Sequence, residues 1–158
     1  MASTDSAATT WPAMHERQAW LAVLARASVY DLEHACTALT QPPAFRFLRP
    51  PETGLTQVRA RAGGTGQQFN LGEATVTRCT VQLESGAIGV GYVMGRDGRR
   101  AQWVAVFDAL LQDPVLGPPL QRQVIAPLAQ AQAEHQQRQT EATATTKVDF
   151  FTMVRGDD

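Results

Sequence analysis

Cysteine is nearly absent. Cys36 and Cys79 are the two thiols in the chain and have no C-x-x-C spacing, so they supply neither a disulfide framework nor a zinc-ligand set. Lysine is scarcer still: Lys147 stands alone against 13 arginines. Codon usage in a GC-rich genome explains that bias, and so does a need for planar guanidinium forks that grip phosphate or carboxylate. The formal net charge of −1 lacks the basic excess of a general nucleic-acid binder. No apolar run approaches the roughly 18 residues that span a bilayer. The Ala/Ser/Thr-rich start, Met1 to Thr10, has neither the basic nor the apolar region of a signal peptide. The expectation is a frayed tail over 1–11 and a cytoplasmic protein bound to neither membrane nor nucleic acid. Histidine is also sparse. His15, His34 and His135 fall on three separate expected helices with no i, i+4 partner, so no metal site is expected. A Ser-His-Asp order and a nucleophile elbow are missing too.

What is present fits one domain. The chain has 158 residues, 44% apolar and 18% charged, enough to close a core without staples. Helical spacing runs from about Pro12 to Ser28 (Trp20, Leu21, Leu24, Ala27), and a second helix starts at Ser28 or Asp31 with Leu32, Ala35, Cys36 and Leu39 on one side. Gln41-Pro42-Pro43 ends it, and Phe45 to Pro51 reads as a Pro/Arg loop. The period then changes to two. Val58, Ala60 and Ala62 alternate with Arg59 and Arg61, Thr75 to Leu83 repeats the pattern, and Ser85-Gly86 turns the chain into Ala87 to Met94. Gly89 and Gly91 share one face of that last strand, which calls for a close neighbour, backbone or ligand.

After the Arg96-Asp97-Gly98 turn comes a strong helix with Trp103, Val104, Phe107, Leu110 and Leu111 as its stripe. A last helix carries Leu120, Val124, Ile125 and Leu128, becomes Gln-rich and polar from Gln130, and gives way to a Thr/Ala linker over Thr140 to Thr146. The fold class is α+β: N-terminal helices, a small antiparallel sheet of three to four strands, C-terminal helices and an extended apolar arm. One domain spans 12–146, between the tail and an arm over 147–156.

Two constellations bear on function. Arg59 and Arg61 point one way from their strand, and Arg78 lies on the polar face of the next. Were those strands to pair in register, three guanidinium groups would face a phosphate or phosphonate, with Glu73 at a strand end as a candidate acid or base. A solvated face with the arginines paired to carboxylates is the alternative. Between the strands, Gly63-Gly64-Thr65-Gly66 lacks the ending of a P-loop and is read as a turn. The second constellation is the arm: Val148, Phe150 and Val154 on one strand face, Phe151 and Met153 on the other. A strand apolar on both faces needs cover on both, from its own sheet or from a partner.

Four segments carry a family resemblance: Leu48-Arg49-Pro50-Pro51-Glu52-Thr53-Gly54-Leu55; Phe69-Asn70-Leu71-Gly72-Glu73-Ala74-Thr75-Val76-Thr77-Arg78-Cys79; Gly95-Arg96-Asp97; and Ala144-Thr145-Thr146-Lys147-Val148-Asp149-Phe150-Phe151-Thr152-Met153-Val154-Arg155-Gly156. In order and spacing they resemble the PhnG family, the G subunit of the bacterial carbon–phosphorus lyase system, from about Arg17 to Gly156. The resemblance implies work with H, I and J subunits, and with an ATP-binding L subunit, to convert ATP and an alkylphosphonate into ribose 1-alkylphosphonate 5-triphosphate and adenine. It also implies that an iron–sulfur cluster and S-adenosylmethionine belong to the J subunit, that this chain binds no cofactor, and that its role is structural or site-shaping. It brings no catalytic residues with it. A free-standing phosphate- or phosphonate-binding domain is the competing function.

Overall fold

Five helices and one three-stranded meander account for the described residues, in a computed structural model that covers residues 14–39 and 43–145. Helix α1 (Met14–Leu24) buries Trp20 and Leu24. Helix α2 (Val29–Thr37) opens at Ser28, whose Oγ accepts the Asp31 N–H at 3.1 Å, and it buries Leu32. That N-cap satisfies a donor that the helix itself leaves free.

Strands β1 (Phe45–Arg61), β2 (Gln68–Leu83) and β3 (Ile88–Met94) form one antiparallel sheet in the order β1-β2-β3. The stretch expected as a Pro/Arg loop is the first half of β1. It is an edge strand, and its register shifts between Phe47 and Arg49 and again between Arg49 and Glu52. An edge that slips in this way tolerates Pro50 and Pro51, which could not serve a central ladder.

Helix α3 (Gly98–Leu111) crosses the inner sheet face, started by Asp97, whose Oδ1 accepts the Arg100 N–H at 2.9 Å. The close neighbour of the two glycines is its backbone. A Cβ at Gly89 would lie 1.9 Å from Ala105 O, and one at Gly91 1.9 Å from Ala101 O. Small residues on both sides bring helix and strand together, and the larger side chains fill the flanks. Val81, Val93, Val104, Phe107, Leu24 and Leu32 are all at most 1% exposed. Each such side chain contributes roughly 1.5–3 kcal/mol of burial. Between the sheet and α1–α2, α3 is buried nearly all round and not along a single stripe.

The chain then passes through α4 (Gly117–Leu120), a π turn (Gln121–Ile125) and α5 (Ala126–Thr145). In the π turn the Ala126 N–H reaches Gln121 O. The wide turn sits just ahead of Pro127, which has no N–H to continue the ordinary ladder. The Thr/Ala stretch expected as a linker is helical up to Thr145. Thr140 and Thr143 donate their hydroxyls to Gln136 O and Gln139 O, four residues back, and extending a formed helix is easier than starting one. The tail (1–11) and the arm (Val148, Phe150, Phe151, Met153 and Val154) lie outside the described residues.

Candidate functional site

The sheet changes character along its length. β2 pairs with β3 from Gln82↔Ile88 to Val76↔Met94. Past that point β1 and β2 run on alone to Arg61↔Gln68. The free ribbon takes up residues 68–75 of β2, a projection of about 26 Å at the rise of a strand. Its tip is a short 3-10 turn, Ala62–Gly64, with left-handed φ at Gly63 (59°) and Gly64 (80°) and a Gly66 N–H donated to Ala62 O at 2.8 Å. A side chain at Gly66 would collide with Ala62 O, 2.5 Å from its Cβ. Glycine is therefore needed here to close the hairpin tightly.

Three of the predicted site residues stand on this ribbon. Glu73 pairs with Gln57, Arg59 with Asn70, and Arg61 with Gln68. All three are exposed. Among the described residues neither Arg59 nor Glu73 has a hydrogen-bond or ion-pair partner, and Arg61 donates to Gly66 O at 3.3 Å. Leu55 and Leu71, 67% and 64% exposed, stand on the same ribbon.

Arg78 is elsewhere. It pairs with Glu52 across the sheet, with Nη2 3.4 Å from Oε2. Arg59 lies seven residues further along β1, roughly 23 Å away, and alternation of the pleat sends it and Arg61 to the opposite face. The three guanidinium groups therefore do not share a face. Alternation sets the parity within each strand. The register comes from the hairpin closure, which matches the end of β1 to the start of β2 and leaves Arg78 far up the ladder.

Among the described residues no helix lies over the sheet face turned away from α3. It shows Arg78, Thr80 and Gln82 from β2, Arg46, Arg49 and Glu52 from β1, and Ile88, Val90, Tyr92 and Met94 from β3. Arg46 Nε donates to Gln82 Oε1 at 3.0 Å, and Arg49 Nε stands 3.9 Å from Glu52 Oε2.

A buried charge went unnoticed in the sequence. Asp108 on α3 is 0% exposed and accepts four hydrogen bonds. Oδ1 takes Arg17 Nε at 3.1 Å and Trp20 Nε1 at 2.9 Å; Oδ2 takes Arg17 Nη2 at 2.7 Å and the Val90 N–H at 2.9 Å. One carboxylate thus ties α1, α3 and the outer edge of β3 together, with every lone pair used. Such a group is a structural clamp, since a reacting carboxylate needs a free oxygen. The signal available was a lone Asp inside the run Val106-Phe107-Asp108-Ala109-Leu110.

The cysteines are structural as well. Burial pushes the Cys79 thiol up to about 11, and Cys36 is raised by the same cause. Neither is a ready nucleophile. Among the described residues no three His, Cys, Asp or Glu side chains gather as a metal-binding group, and no helix is long and apolar enough to cross a membrane. An open cleft of about 760 Å³ lies between α1 and the α3–α5 connection, walled by Trp20, Val23, Leu111 and Ile125, with Glu16 and Arg122 alongside; it contains none of the predicted site residues.

The comparisons with known proteins agree with one another. The family described as phosphonate metabolism protein PhnG matches residues 15–156. A protein of Rhizobium meliloti (strain 1021), named alpha-D-ribose 1-methylphosphonate 5-triphosphate synthase subunit PhnG, is 44% identical over 143 residues, covering 90% of this chain and 91% of its own length. With a family match across nearly the whole chain and a relative this similar end to end, the chain belongs to the PhnG family of phosphonate metabolism proteins.

Proposed function

We propose that this chain is a subunit of a synthase that activates alkylphosphonates, converting ATP and an alkylphosphonate into ribose 1-alkylphosphonate 5-triphosphate and adenine in the cytoplasm. The observation that carries this reading is the match, nearly end to end at 44% identity, to a relative named as a subunit of that synthase. The partners are H, I and J subunits, with an ATP-binding L subunit as a further candidate. ATP is a substrate of the complex. The iron–sulfur cluster and S-adenosylmethionine belong to a partner, and this chain holds no cofactor of its own.

Within the complex the chain braces and shapes a site that other subunits complete. Two features support a bracing role. The fully buried Asp108 carboxylate is saturated by donors, and among the described residues no helix covers the long ribbon. The arm, through Val148, Phe150, Phe151, Met153 and Val154, is a second attachment. Co-expression with the H, I and J subunits, followed by mass measurement of the intact complex, tests the reading. The wild-type chain is recovered in the complex, and a chain lacking 148–154 is lost from it. A wild-type chain that purifies alone and monodisperse would contradict the reading.

Direct contact with substrate is a second reading, favoured by the exposed and unpaired Arg59 and Glu73 beside Arg61 on the ribbon. Arg78, on the other face, belongs to this reading only if partners fold around both faces. Replacing Arg59, Arg61 and Glu73 by Ala leaves the complex assembled and lowers adenine release from ATP and methylphosphonate. Unchanged turnover in the assembled variant would exclude it.

A further inference from the structure

A sheet with one face on a core and the other in water normally turns polar residues outward. β2 obeys, with Arg78, Thr80 and Gln82. β3 does not: Ile88, Val90, Tyr92 and Met94 point outward in an unbroken row, 42%, 39%, 52% and 62% exposed. Among the described residues nothing packs on them, because the inward positions, Gly89, Gly91 and Val93, make the contact with α3. An apolar row on an open face marks an interaction surface, and Tyr and Met are among the residues enriched at interface centres.

The charges beside that row are unbalanced. Arg46, Arg49 and Arg78 share the face with one carboxylate, Glu52, which stands 3.9 Å from Arg49 and 3.4 Å from Arg78. Arg46 is held by neutral Gln82. Three arginines against one glutamate leave two positive charges for a partner to meet. Exposed pairs of this geometry are weak and easily exchanged for better ones.

The free edge of β3 is partly taken. Asp108 takes the Val90 N–H, Gln112 Nε2 donates to Ile88 O at 2.9 Å, and the Arg100 guanidinium donates to Met94 O. Side chains thus occupy three of the groups that an added strand would use, which favours docking on the face over extension of the edge.

We propose that this open face docks a neighbouring protein subunit whose matching surface is an apolar ridge bordered by carboxylates. The proposal rests on the subunit reading above and adds to it the surface used and the partner's chemistry. Two variants test it in complexes co-expressed with the H, I and J subunits: Val90→Arg with Tyr92→Arg, and Arg49→Glu with Arg78→Glu. Each lowers recovery of this chain in the complex by roughly tenfold or more, as expected when charges face an unmatched interface. Each isolated variant keeps the wild-type circular dichroism and melting temperature, and added salt weakens the wild-type complex.

Full recovery of both variants would overturn the proposal. So would a melting temperature that falls in the isolated variants, because the face would then be covered by this chain itself. Self-association of the isolated chain, abolished by the same substitutions, would name a second copy as the occupant instead. Binding to phosphatidylglycerol vesicles with assembly intact would name a membrane, and assembled variants slowed only in turnover would name the substrate. A wild-type chain that never enters the complex would defeat the subunit reading and not merely this surface.

Discussion

The two ends of the β1–β2 hairpin are made from the same pair of strands under opposite conditions. At the β3 end, α3 covers the inner face so closely that Gly89 and Gly91 have no room for a methyl group, and Asp108 binds helix, strand edge and α1 at once. At the ribbon end, 55–61 and 68–75 meet no third strand and no helix among the described residues, and Leu55 and Leu71 face solvent. A two-stranded hairpin alone is marginal in water, so a long one is normally kept because something covers it. Folding explains the inward residues at the first end, and among the described residues nothing covers those at the second.

The largest break in that contrast is expected at Asp108. Asp108→Ala strands Arg17, Trp20 Nε1 and the Val90 N–H and costs about 3–5 kcal/mol in denaturant unfolding. A loss below ~1 kcal/mol would show that the clamp is not structural. Next come the glycines. Gly91→Ala drives a methyl into Ala101 O and costs about 1–3 kcal/mol, whereas Gly54→Ala, at the base of the ribbon opposite Val76, meets nothing within 4 Å and stays within ~0.5 kcal/mol. Equal losses at the two sites would erase the distinction between the ends.

Cys79 sharpens the contrast through pH. Its folded thiol is held at about 11 against an ordinary 9.0. Between those values the unfolded chain releases the proton and the folded chain keeps it, so stability present below pH 9 falls as pH rises toward 11. Cys79→Ala should remove that part of the slope in unfolding free energy measured from pH 8 to 11, roughly the span over which the two states differ. An unchanged slope would mean the thiol is not protected by the core. The smallest effect on stability is expected at Leu55→Gln with Leu71→Gln, within ~0.5 kcal/mol for the isolated chain, accompanied by reduced recovery in the complex.

Sequence reading reached the element order, the antiparallel sheet and the close approach at Gly89 and Gly91, because period and glycine placement are local signals. It missed the first half of β1, where Pro50 and Pro51 argue against a strand unless the strand is known to be an edge. It missed the reach of α5, because Thr propensity is a weak opponent of an established helix. The arginine arrangement failed for a different reason. Face parity is written in each strand, but register depends on where the hairpin closes, and only closure at Gly63 to Gly66 puts Arg78 opposite Glu52. Asp108 was hidden because its partners lie 18, 88 and 91 residues away in the chain.

Amide hydrogen exchange on the isolated chain and on the assembled complex measures the two ends side by side. If the ribbon is a docking element, amides in 55–61 and 68–75 exchange fast in the isolated chain and become strongly protected in the complex, while those of α3 and β3 are protected in both. Ribbon amides that exchange equally fast in the two states would contradict it.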